Sequence, residues 1–247
     1  MARAQGDEQV EGRDGTPVGR RAVLGLLGLG AVGIAFGSGA ESWLAKQVGK
    51  VSAKDPTGLT GLVPGGGGFR IYTVTAGYPS KSREEYRLKV SGLVDGPVSL
   101  TYTDLLTLPQ TQLTKDFQCV TGWRVEDVEW QGVKLADLLD HVGAKAGAKY
   151  LHFTSFDGAY TESLTMDQAR RPDVLVANHM LGKPVTKEHG GPVRLYVAPM
   201  YGYKSIKWLD SIEVTDDLRP GYWEAFGYDV DAWVGKSNGR DDAPTSA

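Results

Sequence analysis

A single cysteine, Cys119, stands in a chain of 247 residues. No disulfide can close within such a chain, so its fold must rest on a buried apolar core, which a chain of this length can supply. One thiol also cannot build a zinc knuckle from several thiolates, nor an iron–sulfur cluster held by the chain's own cysteines. Lys and Arg number 27 against 30 Asp and Glu, a net charge of −3. A nucleic-acid-binding protein would normally carry a basic excess. Three readings of Cys119 stay open on composition: an inert core residue, a nucleophile, or a lone metal ligand.

The first part of the chain differs in kind from the rest. Seventeen of the 33 glycines lie in residues 1–68. Residues 1–19 are polar with mixed charges and read as disordered. Arg20-Arg21 then precede Ala22–Ala40, nineteen residues without a charge that end on Ser38-Gly39-Ala40. A basic pair, an apolar stretch and small residues in that order form an export signal. The adjacent arginines and the glycine-rich stretch resemble the twin-arginine type, read by a receptor that exports folded proteins. Nineteen apolar residues are also nearly enough to anchor the chain in a bilayer. Residues 1–45 are therefore expected to be a disordered start with a signal or anchor, and residues 46–68 a linker. That linker closes on Pro64 and Gly65–Gly68, a flexible tether. The folded domain is expected over 69–235 and a flexible tail over 236–247.

Within that domain, short strands are mixed with few helices. Arg87–Val90 alternates at period two, Thr103–Leu108 forms a short helix stopped by Pro109, and Thr111–Val120 is an extended segment delivering Cys119 at its end. Leu135, Leu138, Leu139 and Val142 recur at helical spacing and predict a helix over Lys134–Val142. Tyr150–Phe156 and Tyr160–Leu164 flank Asp157-Gly158, a hairpin signal. Thr165 and Gln168 form a capping box for a short helix ended by Pro172. Val174–Ala177, Val193–Ala198 and Ile206–Val214 complete the strands. Strands and helices do not alternate strictly, so the class is α+β with a mixed sheet.

Chemistry can sit in two places. In Phe117–Arg124 the thiol of Cys119 ends a strand and precedes Thr-Gly and an aromatic residue, a loop rather than a core stripe. A nucleophilic cysteine needs a histidine, and His141, His152, His179 and His189 are on offer with no local signature tying any of them to Cys119. The second place runs from His189-Gly190-Gly191-Pro192-Val193-Arg194 to Tyr201–Trp208. Paired glycines let the backbone approach an anion, Arg194 offers a fixed fork of donors, and Lys204 and Lys207 add point charges. An anion pocket and a turn beside a solvated basic face both fit those residues.

Four motifs in order, Cys119–Trp123, Trp130–Leu135, His189–Leu195 and Gly202–Leu209, resemble the molybdopterin-binding domain of the sulfite oxidase family, and within it the exported bacterial branch that includes periplasmic methionine sulfoxide reductase. The resemblance runs from about Phe69 to Trp233 and includes Gly221–Glu224. It implies a molybdenum–molybdopterin cofactor with Cys119 as the catalytic thiolate on the metal, a soft donor for a redox-active centre whose remaining sulfurs come from the cofactor. By the same resemblance His189, Arg194, Gly202, Tyr203, Lys204 and Lys207 hold the pterin and its phosphate, with Ser155, Arg70 and Tyr72 as further contacts. The Arg-Asn-His cluster of the sulfite oxidases is missing near Phe69, and no immunoglobulin-like domain follows Trp233. The resemblance and the export signal thus predict an exported oxidoreductase at the periplasmic or extracytoplasmic face, free or anchored by residues 22–40, acting on a small-molecule or sulfoxide-type substrate by oxygen-atom transfer. With no Cys-x-x-Cys-His for haem, electrons must pass to a separate partner such as a membrane haem subunit. A cofactor-less tethered binding module and a cysteine-nucleophile hydrolase remain the alternatives.

Overall fold

A computed structural model describes residues 68–237. The expected disordered start, signal or anchor, most of the 46–68 linker and nearly all of the 236–247 tail lie outside the described residues. Ten strands run β1 Arg87–Gly92, β2 Val98–Thr101, β3 Gln110–Gln118, β4 Arg124–Lys134, β5 Tyr150–Ser155, β6 Thr161–Thr165, β7 Val174–Met180, β8 Lys183–Pro184, β9 Arg194–Val197 and β10 Leu209–Thr215. Three short helices join them: α1 Tyr102–Thr107, α2 Leu135–His141 and α3 Met166–Ala169. The first sheet has the order β2-β1-β10-β5-β6 and the second β3-β4-β7-β8, with β9 also paired to β7. β1 and β10 pair parallel while their neighbours pair antiparallel, so the first sheet is mixed. The class is α+β, as the sequence predicts.

Local chemistry explains the elements. β1 alternates, with Leu88 and Val90 inward and Arg87 and Lys89 outward. The run Val174–Ala177 in β7 is buried at every position, as suits a strand covered on both faces. The capping box read from Thr165 and Gln168 is present, and a second one, Thr101 with Asp104, opens α1. Leu135, Leu138 and Leu139 of α2 are fully buried. The main core lies between the first sheet, α2 and β9, while a smaller cluster around Phe117, Trp130, Leu175 and Tyr196 covers the other face of the second sheet.

Four elements depart from the sequence reading, two of them the short strands β2 and β8, which it did not expect. β4 is an 11-residue strand that pairs with both β3 and β7, although the sequence reading named no strand there and only the resemblance marked Trp130–Leu135. Its alternation is broken by Asp127 at φ 52° opposite a register shift in β3, which hides the period-two signal. The strand expected from Ile206 begins only at Leu209, because Trp208 takes φ 53° and turns the chain. Lys207 consequently sits in an irregular segment beside the end of β5 rather than on a ladder.

Candidate molybdopterin site

β3 ends at Gln118, and the next residue, Cys119, opens a tight turn. Its N–H donates to the Trp123 carbonyl at 2.8 Å, and the Gly122 N–H donates back to the Cys119 carbonyl at 3.0 Å. The thiol lines a cavity of about 390 Å³. One wall of that cavity is the segment Phe69–Val74, another Phe117 to Trp123, and a third His189, Arg194 and Gly202–Trp208, with Tyr160, Trp223 and Tyr228 closing it. The sequence-predicted residues Arg70, Tyr72, Cys119, His189, Arg194, Gly202, Tyr203 and Lys207 all line this one space.

Positive charge collects at one end without a carboxylate partner. Arg194, 3% exposed, donates from Nε to the Leu195 carbonyl at 3.3 Å, from one terminal nitrogen to His189 at 2.7 Å and from the other to Ser205 at 2.9 Å. All three acceptors are main-chain oxygens. Burial lowers its pKa to about 10. Half-buried Lys207 donates to the Tyr72 carbonyl, and burial with the nearby Arg194 charge brings its pKa down to about 7. The same causes, with Lys207 added, take His189 down to about 4, so its ring is neutral at pH 7. Among the described residues no ion pair involves Arg194 or Lys207. An arginine that lowers a neighbouring lysine in a low-dielectric wall, neither of them ion-paired, suits an anion.

Glycines bring the walls close. Gly190 takes φ 98°, and a Cβ there would lie 2.5 Å from Cβ of Lys207. A Cβ on Gly202 would lie 2.4 Å from the Phe117 ring. Phe117 in turn stacks on Trp123 at 5.8 Å, and the buried Trp123 indole Nε1 has no hydrogen-bond partner among the described residues.

Two predicted contacts lie elsewhere. Lys204 is fully buried away from the cavity, with its ammonium donating to Glu162 Oε1 at 2.6 Å and to Glu224. A buried ammonium held by two carboxyl groups is not free for a phosphate, which corrects the reading of Lys204 as a cofactor contact. Ser155 ends β5 and accepts from the Asp157 N–H at 3.1 Å; it is absent from the cavity lining, where Asp157 stands instead. The sequence reading missed Glu162 and Glu224. Burial, together with the Glu224 charge and against the pull of Lys204, raises Glu162 to about 8. The one signal available was Glu224 itself, within the Gly221–Glu224 motif. Of the four histidines only His189 reaches the cavity, and the side-chain partner of Cys119 is Thr121, with Sγ to Oγ1 at 3.2 Å.

The family model for the oxidoreductase molybdopterin binding domain matches residues 75–223. The chain belongs to that family. Among relatives of this molybdopterin-binding domain, the uncharacterized oxidoreductase YuiH of Bacillus subtilis is 37% identical over 151 residues, covering 60% of this chain and 76% of that one. Sulfite oxidase of Arabidopsis thaliana is 32% identical over 174 residues, covering 57% and 44%. The putative protein-methionine-sulfoxide reductase subunit YedZ1 of Azospira oryzae is 32% identical over 188 residues, covering 74% and 70%. In three dimensions the chain is similar to the sulfane dehydrogenase SoxCD of Paracoccus pantotrophus, with a TM-score of 0.54 and 29% identity over 57% of this chain and 41% of that one. The chain thus spans less than half of the matched sulfite oxidase and sulfane dehydrogenase chains. The residues present fit a molybdopterin: one soft thiol, an arginine and a lysine that form no ion pair, and a wall that Gly202 brings close to Phe117 border a single cavity, with Trp123 in its lining.

Proposed function

We propose that this molybdopterin-family oxidoreductase carries a molybdenum–molybdopterin cofactor in the cavity, with Cys119 as the protein thiolate on the metal, and exchanges an oxygen atom with a small or sulfoxide-type substrate. The observation that carries this reading is that Cys119 opens onto the same cavity as Arg194, Lys207 and His189. Arg194 and Lys207 would hold the phosphate, and neutral His189 would hydrogen-bond to the pterin. When bound, the cofactor supplies two-electron redox chemistry at the metal. The protein's own part is to fix the thiolate, neutralise the phosphate and keep bulk water from a largely aromatic pocket.

Electrons would pass to a separate redox subunit, since the chain has no cysteines left for a haem or an iron–sulfur centre. The relative named as a reductase subunit supports an assembly of that kind. Export rests on Arg20-Arg21 and the uncharged Ala22–Ala40, which lie outside the described residues. A fully folded domain with a buried cofactor cavity is the kind of cargo that twin-arginine machinery takes.

Metal and pterin analysis of protein purified from a cell that makes the cofactor is the test. Wild type should contain close to one molybdenum per chain, and Cys119→Ser should lose most of it. A screen of sulfoxides, N-oxides and sulfite against a reduced dye then finds the substrate class. Intact Cys119 with neither molybdenum nor pterin bound overturns the proposal.

A further inference from the structure

The turn that presents Cys119 places a second functional group against its sulfur. Oγ1 of Thr121 lies 3.2 Å from Sγ, and this is the thiol's side-chain partner. The turn is closed at both ends by Cys119 N–H to the Trp123 carbonyl and Gly122 N–H to the Cys119 carbonyl, so the backbone between the two side chains is fixed. A β-branched threonine on a fixed backbone has few χ1 choices, which keeps the hydroxyl beside the sulfur. A thiolate has no proton to give. Once Cys119 is deprotonated, the hydroxyl must therefore be the donor.

We infer that Thr121 is a positioning residue that donates an O–H···S hydrogen bond to the Cys119 thiolate and thereby sets how strongly that sulfur donates to the metal. This rests on the proposed role of Cys119 as the protein ligand. A hydrogen bond draws electron density away from the sulfur, so the metal is less stabilised in its oxidised state and its reduction potential rises. The side chains of Val120 and Trp123, the other neighbours of the thiol along the turn, place no donor on it: valine's carries none, and the indole N–H of Trp123 is unpartnered. The hydroxyl is thus the side-chain lever by which this turn can tune the thiolate.

The test compares molybdenum-loaded wild type, Thr121→Val and Thr121→Ser. Valine keeps the shape and removes the donor; serine keeps the donor. With equal molybdenum content, Thr121→Val should have a lower midpoint potential, and its lowest sulfur-to-metal absorption band should move to longer wavelength. Thr121→Ser should stay near wild type in both. Thr121→Ala carries the same expectation as valine without either of its γ-methyl groups. Wild-type potential and band position in the fully loaded valine and alanine variants overturn the inference. So does failure of both to load, because a tuning hydrogen bond is not needed for ligation. If wild type itself binds no molybdenum, the proposed function falls and this inference with it, an outcome that the metal analysis separates from the other two.

Discussion

Lys204→Met should unfold the domain at much lower temperature, even though the residue touches no part of the cavity. Its ammonium is shared by two carboxyl groups, Glu162 and Glu224, each 1% exposed or less at the side chain. Glu224 has one further partner, the Gly221 N–H at 2.8 Å, while Glu162 Oε2 has none. Removing the cation from a buried ion pair costs about 3–5 kcal/mol, because the Glu224 carboxylate left behind has lost its solvent and its counter-charge and keeps only the Gly221 N–H. For a domain of this size, about 2–4 °C of melting temperature goes with each kcal/mol, so the melting point should fall by roughly 6–20 °C. Glu162→Gln should behave oppositely. With its pKa raised to about 8, Glu162 is largely protonated at pH 7, and the amide copies that state. Its cost at pH 7 should stay within about 1 kcal/mol. The pH profile carries the sign. The folded carboxyl keeps a proton that the unfolded one releases near its ordinary 4.5, so wild type binds more protons folded than unfolded across pH 4.5 to 8. Stability from this group is full below that window and lost as pH rises through it, whereas Glu162→Gln lacks the slope. Thermal unfolding of cofactor-free wild type, Lys204→Met and Glu162→Gln at pH 5, 7 and 9 reads all of this. A Lys204→Met melting point within a few degrees of wild type, coupled with loss of bound cofactor, would show that Lys204 serves the ligand after all and refute the clamp.

Other perturbations follow from the cavity. Gly202→Ala would set a Cβ 2.4 Å from the Phe117 ring, so either the ring or the turn must shift; thermal denaturation should show a loss of about 1–3 kcal/mol, together with reduced cofactor content on metal analysis. Arg194→Lys keeps the charge but cannot reach the Leu195, His189 and Ser205 carbonyls from one fork; molybdenum retained after dialysis should fall about 10–100-fold, and retention equal to wild type would remove Arg194 from the phosphate end. Lys207, lowered to about 7 from an ordinary 10.5, is charged only below neutral pH in the cofactor-free protein, so sulfate should raise the melting temperature more at pH 6 than at pH 9. Without an anion the sign reverses: the unfolded chain holds that proton up to about pH 10.5, so the Lys207 contribution to stability improves as pH rises from 7 to 10.5.

What was legible in the sequence and what was not divide along physical lines. Helix α2, the β5–β6 hairpin and the Thr165 capping box announce themselves because their signals are local: a 3.6-residue apolar period, an Asp-Gly turn, a hydroxyl three residues before a glutamine. The assembly of the cavity was legible only through the resemblance, since Phe69, Cys119 and Arg194 lie far apart in the chain and no spacing rule joins them. Lys204 shows the limit most clearly. Lys204 and Lys207 are three residues apart in one basic stretch, and by composition they are interchangeable. The 3₁₀ turn Gly202–Lys204 carries the first inward to meet Glu162 on β6 and Glu224 beyond β10, while Trp208 at positive φ leaves the second at the cavity. One lysine is neutralised and becomes part of the support; the other stays without a carboxylate and becomes part of the site. The difference between them is the fate of the compensating charge, and that is decided by strands that converge only in the folded molecule.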